Sequence, residues 1–452
     1  MRANVAHPGM THPALSILKV WAVCIALYVV LPFKVVDRSL HAEGFLLLFL
    51  FLAAFCIGSV VIAPPRNAVP RQRPAAASRR LDFSTAEMIL ATAGLVTVVA
   101  MLLDIRGKSV FDLAESYDLR SDQATALMEG AASASSAWFQ IAFLTYPAAY
   151  VYLVRTIIFE ARPNLFRLAA FGFLPVLLAT VSMGGRAPVL YAILISFFAF
   201  STRKVFMHHQ NPVPLGRLRR RPNRANWKAF GAGAIVLGAM YYFIAVFFTR
   251  AEVVGGAAGM FKVAEEIWGI GFSGPTATFM FQLLGDELMY IIFIFSWYIV
   301  QGLVMGNFLF SDYQGPMQLG VYGVDLVSAL VRRLDGGLVA RNFDALQQLG
   351  VYGFLPSAFG SLYVDLWYFG LLVSLLWGAL AGLVYQRVRA ARDPRWLLFA
   401  PFVTMGILFS FINTPIGFSN GLVTHLWMLI AFLGSRRQKP ARFAAPLIGV
   451  SA

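Results

Sequence analysis

Charge is what this chain has least of. Only 13% of its 452 residues are Asp, Glu, Lys or Arg, about half the roughly 25% of a soluble domain. So few charges cannot cover the water-facing surface of a soluble fold. Cysteine is scarcer still. Cys24 and Cys56 are the only two, and both fall inside apolar runs, where thiols behave as small apolar residues. Neither a disulfide framework nor a thiolate metal site is indicated. The six histidines form no ligand set. His208 and His209 are adjacent in a polar segment, and no H-E-x-x-H occurs. No pair of carboxylates has the D-x-D spacing of nucleotide-sugar metal sites. Arg106-Gly107-Lys108-Ser109 ends like a phosphate-binding loop, but Leu102 stands where that loop needs its first glycine. The chain is therefore expected to work without metal or cofactor.

What the sequence has in abundance is apolar length. Hydrophobic residues make up 59% of it, and the mean hydropathy is +0.69. Several runs reach the roughly 20 residues that an α-helix needs to cross a ~30 Å hydrocarbon core. In lipid the backbone must satisfy its own polar groups, which leaves helices or a closed barrel. The runs are continuous rather than alternating in ten-residue strands, so they predict helices. Spans are expected near 14–35, 44–62, 85–103, 135–157, 165–181, 188–202, 229–249, 361–386, 396–413 and 420–434. The first follows a polar stretch and has no small-residue cleavage site, so it reads as a retained span rather than a signal peptide. The fold class expected is an all-α polytopic membrane bundle of ten to twelve transmembrane helices, a single transmembrane domain over 1–452.

Orientation follows from Lys and Arg. With the N-terminus inside, the segments assigned to the cytoplasm carry 26 of the 37 basic residues and only 4 of the 22 acidic ones. Both termini are then cytoplasmic, in a bacterial inner membrane. The net charge of +15 is mostly this topological bias. A nucleic-acid surface needs a basic groove with interleaved aromatics, which the Arg217–Arg221 loop cluster does not provide, so no nucleic acid is expected. Region 250–360 must hold an even number of crossings if the later basic loops are to stay inside. A re-entrant or interfacial arrangement of 271–309 gives ten spans, and two crossings there give twelve. From Asn307 to Ser357 the chain reads as a large periplasmic loop of about fifty residues, and loops that long are commonly functional.

On the outer side the chemistry gathers into a few residues. Arg186 sits in the turn Met183-Gly184-Gly185-Arg186-Ala187-Pro188, Arg250 closes the span at 229–249, and Arg332, Arg333 and Arg341 lie in the late loop. Guanidinium groups bind phosphate oxygens bidentately, so these outer arginines suit a lipid diphosphate. The plainer alternative is that each snorkels to headgroups from a helix end. Asp365 at the outer mouth of a span and His425 near the outer end of the last helix are the candidate bases, Asp365 having an Arg-paired structural role as its alternative. Gly417-Phe418-Ser419-Asn420-Gly421 matches G-x-S-x-G, but a nucleophile elbow needs a strand before it. Here it joins two spans and reads as a flexible outer turn.

The stretch Phe354-Leu355-Pro356-Ser357-Ala358-Phe359-Gly360-Ser361-Leu362-Tyr363-Val364-Asp365-Leu366-Trp367-Tyr368-Phe369-Gly370 resembles the P-T-x-x-G-x-L-Y-x-D-F-G-x-x-G signature of Wzy-type oligosaccharide repeat-unit polymerases. Gly378, Gly382 and Tyr385 continue the pattern, and the Gly-Gly-Arg turn before Pro188 is similar too. Leu366-Trp367 replaces the signature's Phe-Gly, and Tyr352 stands where the family's R-x-ten-G loops would put a glycine after Arg341. The resemblance implies a C-type membrane glycosyltransferase fold acting on undecaprenyl-diphosphate-linked oligosaccharides. A growing glycan passes en bloc from one lipid diphosphate to the end sugar of the next, at the periplasmic face. Its implied site is Asp365 and His425 for proton transfer, Arg186, Arg250 and Arg341 for the diphosphate, and Tyr363 and Arg333 for the sugars. Its implied partners are the lipid-linked substrate, membrane lipid, and a chain-length regulator or flippase. Two alternatives stay open: an O-antigen ligase using the same donor, and a lipid-linked oligosaccharide flippase or transporter.

Overall fold

Apolar runs that cannot share backbone hydrogen bonds with lipid close those bonds within themselves, and the chain is accordingly helical almost throughout. The computed structural model describes residues 11–64, 81–82, 84–106, 136–160, 162–183, 187–210, 244–249, 251–272, 274–351, 354–390 and 393–437. Among them the helices are α1 (Pro13–Val30), α2 (Ala42–Ile62), α3 (Ser84–Ile105), α4 (Ala137–Thr145), α5 (Pro147–Phe159), α6 (Leu165–Ser182) and α7 (Ala187–Gln210). Then come α8 (Gly256–Glu266), α9 (Pro275–Asp312), α10 (Asp325–Leu334), α11 (Gly336–Gln348), α12 (Ser357–Leu366), α13 (Gly370–Ala390), α14 (Ala400–Leu408) and α15 (Gly421–Gly434). The strands are four two-residue pieces: β1 (Lys34–Val35) pairs with β3 (Ile270–Gly271), and β2 (Leu81–Asp82) with β4 (Arg436–Arg437), both antiparallel. We call the β1–β3 end of the bundle upper and the β2–β4 end lower.

Among the described residues, eight helices are long and apolar enough to cross a membrane, which makes this a multi-pass, all-α membrane protein. Seven coincide with expected spans, and α7 and α15 fall where two more were expected. The expected span at 229–249 lies outside the described residues except for 244–249, which are helical. At the centre stands α5, whose residues 147–158 are all buried. A helix that is apolar all round belongs inside. Around it the outer helices show leucine stripes, such as Leu372, Leu376 and Leu380 on α13, as a lipid-facing surface requires.

The eighth long helix is α9, and it changes the reading of the late region. It breaks at Gly285, whose φ of 72° and ψ of 170° suit only a residue without a Cβ. Its preceding strand β3 is paired with β1 at the upper end. Phe293 and Trp297 touch Phe33. Near its other end Asn307 grips His41 from both sides, with Oδ1 accepting the His41 N–H and Nδ2 donating to its carbonyl, each at 2.8 Å. The segment thus leaves from and returns to the same end of the bundle. The direction of α13 agrees, because it runs parallel to α2. Ser374 Oγ donates to the Phe51 carbonyl at 2.8 Å, and the same face continues at Gly378 and Gly382. A Cβ on Gly378 would lie 1.9 Å from Phe55 O, so the small-x-x-x-small row there lets two backbones meet. The late loop expected between Asn307 and Ser357 is corrected too. α9 runs on to Asp312, and α10 and α11 occupy much of the rest; α10 buries no residue and α11 seats Leu346 in the core. Sequence reading missed these helices because they are short and amphipathic.

Candidate functional site

Asp365 closes the last turn of α12, with 4% of its surface exposed. A carboxylate so buried must be hydrogen-bonded, and its partners are backbone amides rather than arginine. Oδ1 accepts from Tyr322 N–H at 3.0 Å and Oδ2 from Gly323 N–H at 2.9 Å. The α12 backbone joins in: Val364 O accepts from Gln318 N–H at 3.2 Å and Asp365 O from Leu319 N–H at 2.9 Å. Residues 318–323 are therefore strapped across the upper end of α12.

The other side of this strap meets the turn between α14 and α15. A Cβ on Gly417 would lie 2.0 Å from the Gly323 carbonyl oxygen, so the two backbones touch there and only glycine fits. The turn itself is tightly bonded. Thr414 accepts the Gly417 N–H through both its carbonyl and its Oγ1, each at 3.1 Å, and Leu422 N–H reaches Ile416 O at 2.6 Å. Ser419 and Asn420 both have left-handed backbones, with φ of 51° and 58°. Tyr146 donates to the Ser419 carbonyl at 3.3 Å, and Tyr150 Oη lies 2.9 Å from Ser419 Oγ. Asn420 Nδ2 donates to Phe143 O at 2.6 Å. The flexible turn expected at the G-x-S-x-G match is thus a packed one. No strand precedes it, and its serine is bound to a tyrosine.

Just beyond the strap, α10 begins with Asp325, which lies within electrostatic reach of Tyr146. Water reaches Asp325, since the residue is exposed. Protein nevertheless surrounds its carboxyl, and burial pushes the pKa up to about 6 against the lowering effect of the Asn420 amide. Asn420 itself is 2% exposed, and its Oδ1 has no hydrogen-bond partner among the described residues.

Compared with known proteins, the chain matches no family model, no curated protein and no solved structure. Its site must be read from its own geometry.

The expected site residues separate in the structure. Asp365 is committed to backbone. Tyr363, 3% exposed, is packed among Phe310, Trp367 and Tyr368. His425 lies one turn into α15, its Nδ1 2.7 Å from the Gly421 carbonyl, which assigns the proton to Nδ1 and leaves Nε2 as acceptor. Arg333 is exposed on the last turn of α10, and Arg341 is on α11, its side chain outside what is described. Arg186 and Arg250 lie outside the described residues. Among the described residues, no group of three or more His, Cys, Asp or Glu is placed to hold a metal ion. Asp325 was passed over in the sequence because it is one of several acids in a polar loop. The signal available was its place at the first apolar-periodic residue after Tyr322-Gly323, where an acid opens a helix.

Proposed function

We propose that the chain is a membrane glycosyltransferase of the inner membrane that polymerises undecaprenyl-diphosphate-linked oligosaccharide repeat units at the periplasmic face. The observation that carries this reading is the strap. A polar segment is pinned between Asp365 and the Gly417–Asn420 turn, and it leads into Asp325, an exposed acid at the start of α10 on the rim of an apolar bundle. A substrate with a polyprenyl tail and a sugar head needs those two surroundings side by side. The upper end is the periplasmic one in this reading, because basic residues collect at the other. The outer arginines Arg186, Arg250 and Arg341 supply the positive charge that a departing diphosphate needs, and Arg333 serves the sugars. The C-type glycosyltransferase fold belongs to the same proposal, and it rests on the signature around Asp365.

Two experiments test it. Protein in nanodiscs, given a purified lipid-linked repeat unit, should build a ladder of longer lipid-linked glycans, and should do so in EDTA. Deletion of the gene should leave surface polysaccharide one repeat long; loss of all surface repeats would point to a flippase instead. Arg250→Lys should retain under about a tenth of the elongation rate. A bidentate contact of ~2–3 kcal/mol made in the transition state corresponds to roughly 30- to 150-fold, and lysine cannot make it. Full activity of both Arg186→Ala and Arg250→Ala would mean that these arginines only anchor helices.

A further inference from the structure

Beside the strap, the chain leaving α9 faces the turn between α12 and α13 across a groove of about 430 Å³. Gly315, Pro316 and Met317 form one wall, and Trp367, Tyr368 and Phe369 form the other. That volume lies within the roughly 300–1,000 Å³ of ligand pockets, which are mostly apolar and largely formed in advance. Both walls are fixed. Tyr313 Oη donates to the Pro316 carbonyl at 2.7 Å and accepts from Gln318 Nε2 at 3.2 Å. The Trp367 ring meets Tyr313 and Tyr363, and Tyr368 meets Tyr363 at 5.8 Å between centroids. Trp367 also keeps a backbone φ of 50°, a strain that collects at ligand clamps.

We infer that this groove seats the isoprenoid tail of the lipid-linked substrate, in the stretch next to its diphosphate, and so sets the head group at the strap. The inference rests on the polymerase reading above and adds where the lipid carrier lies.

The first support is position. At one end of the groove, Met317 runs into Gln318, whose N–H reaches the Val364 carbonyl, and Trp367 follows Asp365 by two residues. At the other end Phe369, 69% exposed, continues the lipid-facing row of Leu372, Leu376 and Leu380. The groove thus joins the lipid surface to the polar strap, the path that a tailed substrate must take. The second support is composition. A sugar in this groove would leave most of its hydroxyls unpaired, and no lining residue carries a charge for a phosphate. An apolar chain fits. Leaving lipid gives such a chain no hydrophobic gain, so selection must come from packing. A stiff, methyl-branched isoprenoid loses less freedom against rigid aromatic walls than a flexible acyl chain does. The plainer role for these side chains is an aromatic belt at the membrane interface, which would not select one lipid over another.

Photo-crosslinking of the full chain in nanodiscs separates the two roles. One probe is undecaprenyl monophosphate with a diazirine on the second isoprene unit from the phosphate; the other is phosphatidylethanolamine with a diazirine in an acyl chain. The undecaprenyl probe should label 315–317 and 367–369, and unlabelled undecaprenyl monophosphate should compete it away. The acyl probe should label the α13 row and leave the groove unmarked. Met317→Trp fills the groove from a half-exposed position. It should cut groove labelling and raise KM for the undecaprenyl-linked repeat, each about tenfold, with kcat within about threefold. Phe369→Ala opens a wall at an exposed position, serves if the first variant does not accumulate, and should move labelling and KM the same way. Equal labelling of the groove by both probes, undecaprenyl labelling confined to other residues, or an unchanged KM in the variants would overturn the inference. Elongation by the wild-type protein would leave the polymerase reading intact in each of those cases. A groove labelled as expected in a wild-type protein that elongates nothing would overturn that reading and keep the groove as a polyprenyl site.

Discussion

The two ends of the bundle treat buried charge in opposite ways. At the lower end, carboxylates are matched with arginines. Arg155, 5% exposed, reaches Glu87 at 2.7 Å and Glu160 at 2.8 Å. Arg167 takes the other oxygen of Glu87 at 3.1 Å, and Arg203 donates to the Ile157 and Glu160 carbonyls. Asp393 is held by Arg395, which also ties α15 through the Ser435 carbonyl. At the upper end, buried carboxylates meet uncharged donors. Asp365 accepts from the backbone amides of Tyr322 and Gly323, and Asp104 has Ser136 and Ser182 among its partners. Arginine pairing holds a carboxylate ionised and in place, which makes for structure. A carboxylate with weaker partners keeps proton affinity, and its pKa is free to respond to what binds. The difference fits a lower end built to anchor and an upper end built to react.

The bluntest way to break the comparison is to ask which end faces which compartment. With both native cysteines replaced, a single cysteine at Leu319 should react with an impermeant thiol reagent in cells with a permeabilised outer membrane. One at Leu165 should not, although both positions are exposed. The outcome is all-or-none, and the reverse pattern would invert the orientation and move the strap to the cytoplasm. Next in size is Arg155→Met. It leaves two partly buried carboxylates without their central cation, and breaking one side of a buried ion pair costs about 3–5 kcal/mol. A large fall in the thermal midpoint with kcat per folded molecule unchanged is expected. A specific loss of kcat would mean that the lower end is not merely an anchor.

Much of this fold was legible in the sequence, because membrane spans are written in apolar length and charge bias. Both signals are local and strong. The strap was not legible. Leu319, Tyr322 and Gly323 look like ordinary loop residues until α12 folds beneath them, and no local pattern says that their amides will converge on Asp365. The signature stretch pointed to Asp365 as a notable acid, and the structure gives it partners that the sequence had assigned to arginine. Asp325 needed the third dimension altogether, since its raised pKa comes from burial by residues that the fold brings around it. The expected turn after Asp365 shows the converse. Trp367 replaces the signature glycine, yet its backbone keeps a φ of 50° and ψ of −134°, so the special turn survives without the residue that would ease it.

A smaller effect comes from pH, and its sign separates chemistry from stability. If a carboxyl at the strap accepts the proton, elongation should fall as pH drops through about 6, by about tenfold per unit once well below it. Asp365 and Asp325, joined through the strap, are both pushed up to about 6 by burial, so the Asp→Asn variant of each is needed to divide the profile between them. Stability should move the other way. The folded carboxyl has a pKa above its unfolded value of ~3.9, so its contribution to stability is complete below that value. It is lost as pH rises through about 6. A rate that falls on acidification while the thermal midpoint holds or rises is the expected pair of results. Parallel loss of both would assign the pH effect to unfolding.

The finest test concerns Trp367. A tryptophan with φ of 50° and ψ of −134° occupies a region that costs a non-glycine residue about 1–3 kcal/mol. It is held there by its ring, which meets Tyr363 at 5.7 Å and Tyr313 at 6.3 Å between centroids, contacts worth about 0.5–1.5 kcal/mol each. Trp367→Gly removes the strain and the ring contacts together, so its net change in stability should stay within about 1 kcal/mol. Trp367→Ala loses the ring and keeps the strain, so it should be the less stable of the two by ~1–2 kcal/mol. That order is the reverse of the usual one, in which alanine beats glycine by about 0.5–1 kcal/mol. The alanine-minus-glycine difference therefore reads the backbone strain directly, free of the aromatic contacts that both variants lose. If alanine proves the more stable, the turn is an ordinary one, and the Asp365 strap would then rest on hydrogen bonds alone.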